Sequence, residues 1–272
     1  MAKIKIGCET YTWQMPGEQY KGRLEHIMQV CQQAGFAGIE PESSFLRHLS
    51  DPILLQEALD KYQMELAVLC VVEDWLDPKE TPEERKRADG WINFLSHFPD
   101  TLLLLVQMPQ ANRDNLAVRQ ANCISCVNDF ARRAAEKGII CSKHPNSPLG
   151  SVFRTESDYA MMMEGLDSEV IGYCPDVGHI AKGNMDPMAI IKEYRDAVNL
   201  VHYKDMHDDG RWAATGEGII EFEAIAQYLI DTDYRGWIII EDECDACITD
   251  PDGITLKDGL YIDRVLKPMF KE

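Results

Sequence analysis

Trp237-Ile238-Ile239-Ile240-Glu241 is a short apolar run that ends on a carboxylate, and three other stretches repeat the plan. Gly138-Ile139-Ile140-Cys141 leads to His144, Val170-Ile171-Gly172-Tyr173-Cys174 to Asp176, and Val198-Asn199-Leu200-Val201 to His202. Such runs, without polar alternation, suit strands buried on both faces, so each is expected to be a parallel strand. If all four belong to one closed sheet, their C-terminal ends meet at a single mouth. That is the face on which barrels carry their chemistry.

Outward from these runs, strand and helix signals alternate along the chain. Further strands are expected over 4–7, 37–40, 66–72 and 102–106, and helices over 24–35, 53–62, 82–95, 112–137, 155–165, 187–194, 222–230 and 256–266. Gly138 stands where a left-handed cap would stop the fourth of these helices, 112–137. Eight β-then-α units predict an α/β fold closed into a single (β/α)8 TIM barrel rather than an open doubly wound sheet. No linker or low-complexity tract interrupts the rhythm, so residues 1–272 are expected to form one domain.

The 272 residues, 45% hydrophobic, suffice for one large core. A formal charge of −19 opposes nucleic acid and anionic membranes as partners. Met1-Ala2-Lys3-Ile4-Lys5-Ile6 is too short and too charged for a signal peptide, and no run approaches the ~18 apolar residues of a spanning helix. A cytoplasmic protein is expected. The nine cysteines include Cys70, Cys141 and Cys174 in apolar settings, where reduced thiols act as small core residues. Cys123 and Cys126 form a C-x-x-C on a helical pattern; with no second pair read as completing a zinc site, they too are expected in the core.

His144, Asp176, His202 and Glu241 make a mixed nitrogen and oxygen donor set that suits Mn, Co, Zn or Fe(II) better than Ca or Cu(I). A lone His at a strand end is ordinarily a hydrogen-bonded structural residue, and a lone Asp often just makes a turn. Four such residues at corresponding strand ends change the balance, because neighbouring buried carboxylates are costly without a cation. Asp205 is expected to accept from the outer N–H of a ligand, and Asp242 and Glu243 to divide between that role and solvent.

Asp176-Val177-Gly178-His179, His202-Tyr203-Lys204-Asp205, Gly216-Glu217-Gly218 followed by Ile220-Glu221-Phe222, and Gly236-Trp237-Ile238-Ile239-Ile240-Glu241 occur in an order and spacing that resembles one family. This is the sugar phosphate isomerase/epimerase group of xylose-isomerase-like TIM barrels. The resemblance covers essentially the whole chain and is densest over 139–243. It implies one divalent metal, Mn first with Co, Zn, Fe or Mg as alternatives, held by His144, Asp176, His202 and Glu241. It also implies a small-molecule carbohydrate substrate, and a homo-oligomer or a small partner subunit. Epimerases of the group carry Glu at the first ligand position, whereas this chain reads His144-Pro145-Asn146. One of two opposed carboxylates is thereby lost, which weakens a symmetric exchange of protons across the substrate. Inosose dehydratases and related keto-sugar lyases, which resemble the chain at that His, do not need the symmetry.

The expected reaction is proton abstraction alpha to the carbonyl of a keto-polyol or keto-sugar, followed by β-elimination, with the metal polarising the carbonyl. Sugar (phosphate) isomerisation or ketose 3-epimerisation is the alternative, and a non-catalytic sugar-binding barrel a further one. Endonuclease IV shares the barrel, but its basic DNA groove is incompatible with −19. His144 can be a ligand or a base through one nitrogen, not both. His179 and Lys204 are candidates for proton handling or substrate orientation, as Glu241 is for catalysis; Lys204 is equally well a solvated strand end. Glu40 would bind hydroxyls or only cap a loop. Tyr11, Trp13 and Trp75 would stack on a sugar ring or plug the core. Arg154 is expected to pair with surface carboxylates rather than to bind an anion.

Overall fold

Almost every apolar run becomes a strand paired in parallel with its neighbours. In the computed structural model, which describes residues 4–270, the strands are β1 (Lys5–Glu9), β2 (Gly38–Glu40), β3 (Glu65–Leu66), β4 (Val68–Glu73), β5 (Leu102–Gln107), β6 (Cys141–His144), β7 (Ile171–Tyr173), β8 (Val201–Tyr203), β9 (Asp205–Met206), β10 (Trp212–Ala213) and β11 (Trp237–Ile240). Met1 to Lys3, part of the stretch read as lacking a signal peptide, lie outside the described residues. The chain divides into two units, Val68–Val198 and the remainder.

The unit built from the chain's two ends has a parallel sheet in the order β3-β2-β1-β11-β8. Its centre is tight: a Cβ on Gly7 would stand 2.7 Å from Ile239 Cδ1. Glu9 pairs in register with Glu40, and His202 with Ile239, so the register sets the polar strand ends side by side. The helix Leu24–Ala34 buries Leu24, Ile27, Met28, Val30 and Cys31 at helical spacing, and Gly35 closes it with φ of 84°. β9 and β10 form a small antiparallel ladder.

The central unit carries the parallel sheet β4-β5-β6-β7. Leu103, Leu104 and Leu105 of β5 are buried, as a strand covered on both faces requires. The helix Pro82–Leu95 starts on a reciprocal cap: the Thr81 hydroxyl accepts from Glu84 N–H while the Glu84 carboxylate accepts from Thr81 N–H. Glu156–Gly165 starts in the same way on Thr155 and Asp158. Cys123 and Cys126 are buried on the helix Leu116–Ala135.

Several boundaries differ from those expected. The helix expected from 112 begins at Leu116, because Asn112 Oδ1 accepts from Asp114 N–H and Asn115 takes φ of 54°. The strand expected over 138–141 is displaced to Cys141–His144; Ile139 N–H still bonds Ala134 at the end of the preceding helix. The run over 66–72 is two strands, interrupted at Ala67. The last long helix begins at Pro251, not 256, since Asp250 caps Gly253 N–H. The helix Val177–Lys182 was not expected. No helix among the described residues is long and apolar enough to cross a membrane.

Candidate functional site

In the unit built from the chain ends, His202 sits between two carboxylates. Its Nδ1 lies 3.1 Å from Glu241 Oε2 and its Nε2 3.1 Å from Glu40 Oε2. Lys204 Nζ donates to Glu241 Oε1 at 2.5 Å and also to Glu243. It is fully buried and packs 5.0 Å from the Trp212 ring and 5.9 Å from that of Tyr11, so it is not a solvated strand end. Burial lifts the Glu243 carboxyl to about 7 against the pull of Lys204. Glu40 Oε1 is buried with no hydrogen-bond partner. Glu9, at the end of β1, joins this group: burial and then the charges of Glu241 and Glu40 push its carboxyl well above the usual range, while His202 opposes them.

In the central unit, β6 ends on His144, whose Nε2 is 3.5 Å from Asp176 Oδ2. Asp176 caps the helix Val177–Lys182 by accepting His179 N–H at 2.7 Å, which fixes the carboxylate and ring in relation to each other. His179 Nδ1 is 2.7 Å from Ser147 Oγ and its Nε2 4.0 Å from Asp176 Oδ2. The His144 and His179 rings meet edge to face at 5.5 Å. A small cavity here is lined by Gln107, Lys143, His144, Asn146, Val152 and Phe153.

Other candidates are placed differently. Asp205 does not support a ligand: its carboxylate accepts the N–H groups of Gly216, Gly218 and Ile220 and ties down the Gly-Glu-Gly loop. Asp242 is buried and accepts from Thr215 N–H and Cys244 N–H, so it has no share in solvent. Arg154 does not pair with surface carboxylates as expected: its Nε donates to Ser147 O and its Nη2 to Lys182 O. Trp13 is fully buried and donates from its indole to Asp252 Oδ1 at 2.7 Å. Trp75 is also fully buried, with φ of 44° held by its N–H bond to Glu84 Oε1. Neither tryptophan exposes a ring face.

Two buried groups escaped the sequence reading. Glu9 could have been found had the first strand been extended two residues to its carboxylate. Lys143, beside His144 on β6, donates from Nζ to Leu105 O at 3.2 Å and His144 O at 3.1 Å, and burial lowers its pKa. In sequence it looked like an ordinary polar residue near a strand end.

A family model described as xylose isomerase-like TIM barrel matches residues 28–262. The inosose dehydratase of Geobacillus kaustophilus (strain HTA426) is 24% identical, covering 97% of this chain and 95% of its own. That of Bacillus cereus (strain 03BB102) is 23% identical, covering 95% and 96%. Among solved structures, the IOLI protein with a zinc atom aligns with a TM-score of 0.75 at 13% identity, covering 97% of this chain and 99% of that one. The 3-keto-D-glucoside 4-epimerase YcjR from E. coli, in its apo form, aligns at 0.74 and 17%, covering 96% and 99%. These structural likenesses speak for an α/β fold of the (β/α)8 class. With the greater part of its length matched by the family model, the chain belongs to the xylose isomerase-like TIM barrel family.

Proposed function

We propose that this chain is a metal-dependent carbohydrate lyase. It removes a proton alpha to the carbonyl of a keto-polyol or keto-sugar and expels the β-substituent, with His144, Asp176, His202 and Glu241 holding one divalent cation, Mn in the first place. The observation that carries the reading is the surplus of buried acid around His202: Glu9, Glu40 and Glu241 crowd one imidazole, and burial, then the charges of the other two, pushes the first toward neutrality. Such a set is costly without a cation.

The donor spacing fits. Ligand atoms each ~2.1 Å from a metal stand about 3 to 3.5 Å from one another. The His202–Glu241 contact of 3.1 Å and the His144–Asp176 contact of 3.5 Å both match such an edge. When bound, the cation would supply Lewis acidity to the substrate carbonyl.

The chain's own residues do the rest. Glu40, through Oε2, orients the His202 ring and fixes its tautomer, while its unpartnered Oε1 is an acceptor for a substrate hydroxyl. Lys204 holds Glu241 in place by donating to it. With His144 committed as a ligand, His179 is the proton carrier, its ring oriented by Ser147 at Nδ1. The dehydratase names of the curated relatives support elimination, and the zinc atom bound by the IOLI protein supports a divalent metal. The nine free, buried thiols support a reducing, cytoplasmic setting.

The test is incubation of Mn-loaded protein with a keto-inositol or a 3-keto-glycoside in deuterated water. Release of an unsaturated ketone is expected. A deuterium-exchanged epimer as the only product would replace the lyase with an epimerase.

A further inference from the structure

A second C-x-x-C, Cys244-Asp245-Ala246-Cys247, follows β11 and takes no part in the reaction above. The sequence reading overlooked it. Cys244 leads into the short helical turn Asp245–Ile248, which brings the two sulfurs to 3.6 Å. Cys247 Sγ lies 3.5 Å from Asp242 Oδ1, the oxygen that also accepts Cys244 N–H at 2.8 Å. One ligand atom from each of the three residues can be chosen so that all lie within 4.8 Å of one another. Asp242 and Cys247 are 1% and 0% exposed, and Cys244 7%.

The surroundings are apolar on one side, where Ala214, Met15 and Ile254 pack on the thiols. Asp258, 2% exposed, has an Oδ1 with no hydrogen-bond partner. Burial, and next the Asp242 carboxylate, hold the Asp258 carboxyl well above its usual range. Two thiols and the Asp242 carboxyl are thus gathered, and the Asp258 carboxyl interacts with them through its charge.

We propose that Asp242, Cys244 and Cys247 form a second metal site, for zinc or another thiophilic divalent cation. Tetrahedral zinc with Zn–S of ~2.3 Å and Zn–O of ~2.1 Å separates two sulfurs by about 3.8 Å and sulfur from oxygen by about 3.6 Å. The observed 3.6 and 3.5 Å need only small movements to reach these values. Binding breaks two S–H bonds, releases two protons to solvent and forms two metal–sulfur bonds, with no change of oxidation state. Water completes the shell. The bound ion would clamp the loop immediately after Glu241.

The test uses cobalt(II) as the probe. Full-length protein is stripped of metal, reduced and titrated with the ion. A thiolate-to-cobalt charge-transfer absorption in the near ultraviolet is expected, saturating by two equivalents in the wild type because the histidine and carboxylate centre also takes the ion, and lost in Cys244→Ser with Cys247→Ser. The proposed histidine and carboxylate centre holds no thiolate and cannot give this band, so Glu241→Gln leaves the band in place whether or not that centre exists. Absence of the band in reduced, folded wild-type protein would overturn the proposal, and that measurement needs no variant to fold. Persistence of the band in the double variant, or at undiminished intensity in Cys244→Ser alone should the double variant not fold, would overturn it equally. So would a Cys244–Cys247 disulfide that takes up no metal after reduction.

Discussion

Asp158 is a buried carboxylate at a helix start, and it shows how one residue can tie stability to pH. Burial alone would raise its pKa; the Thr155 hydroxyl, the N–H groups of Arg154 and Thr155 and the Arg113 guanidinium outweigh that and hold it below the usual carboxylate range. A depressed native pKa stabilises the fold above the unfolded value of ~3.9, and the benefit fades as pH falls through the native value. Asp158→Asn is expected to cost about 1–3 kcal/mol at pH 7, with the gap closing below about pH 4. Urea unfolding at both pH values measures it, and a gap independent of pH would contradict the assignment. Gly218 is the second case. A Cβ there would stand 2.2 Å from Asp205 Oδ1 and 2.4 Å from Met206 O, so Gly218→Ala should destabilise by about 1–3 kcal/mol. An unchanged unfolding midpoint would show that the loop yields. At this scale the legible residues were those ending an apolar run on an imidazole or carboxylate. Asp205 was read as an acceptor behind a ligand, and only its bonds to Gly216, Gly218 and Ile220 reveal a loop anchor.

Among the elements, the plainest apolar strands and most helix starts kept their places, while the strands expected over 138–141 and 198–201 moved to Cys141–His144 and Val201–Tyr203. β5 and β11 are continuous apolar runs, and a strand buried on both faces writes itself in that form. Helix starts depend on one side chain competing for one backbone N–H, as Asn112 does for Asp114 and Asp250 for Gly253, and hydrophobic spacing carries no trace of that contest. The cap of Pro82–Leu95 allows a graded test. Thr81→Ala removes the hydroxyl and should cost ~1 kcal/mol. Glu84→Ala should cost more, because the Glu84 carboxylate also accepts Trp75 N–H at a residue with φ of 44°. Equilibrium unfolding of both variants gives the order, and a smaller loss for Glu84→Ala would show that Trp75 does not depend on that bond.

For the whole molecule, eight alternating units were enough to predict the barrel class to which the family match assigns the chain. The excess of acid was legible too, as −19, but its concentration around His202 was not, because Glu9 and Glu40 reach that ring through register rather than through sequence proximity. A cation that binds only the folded chain stabilises it by mass action, so chelation should lower the melting temperature and Mn should restore it. A melting temperature indifferent to chelator would speak against a resident ion. The most direct measurement is elemental analysis, paired with turnover, of protein carrying Cys244→Ser and Cys247→Ser, with and without Glu241→Gln. The account predicts one divalent cation per chain and turnover with Glu241, and the loss of both with Gln. A Glu241→Gln protein that keeps its cation and its full activity would contradict it.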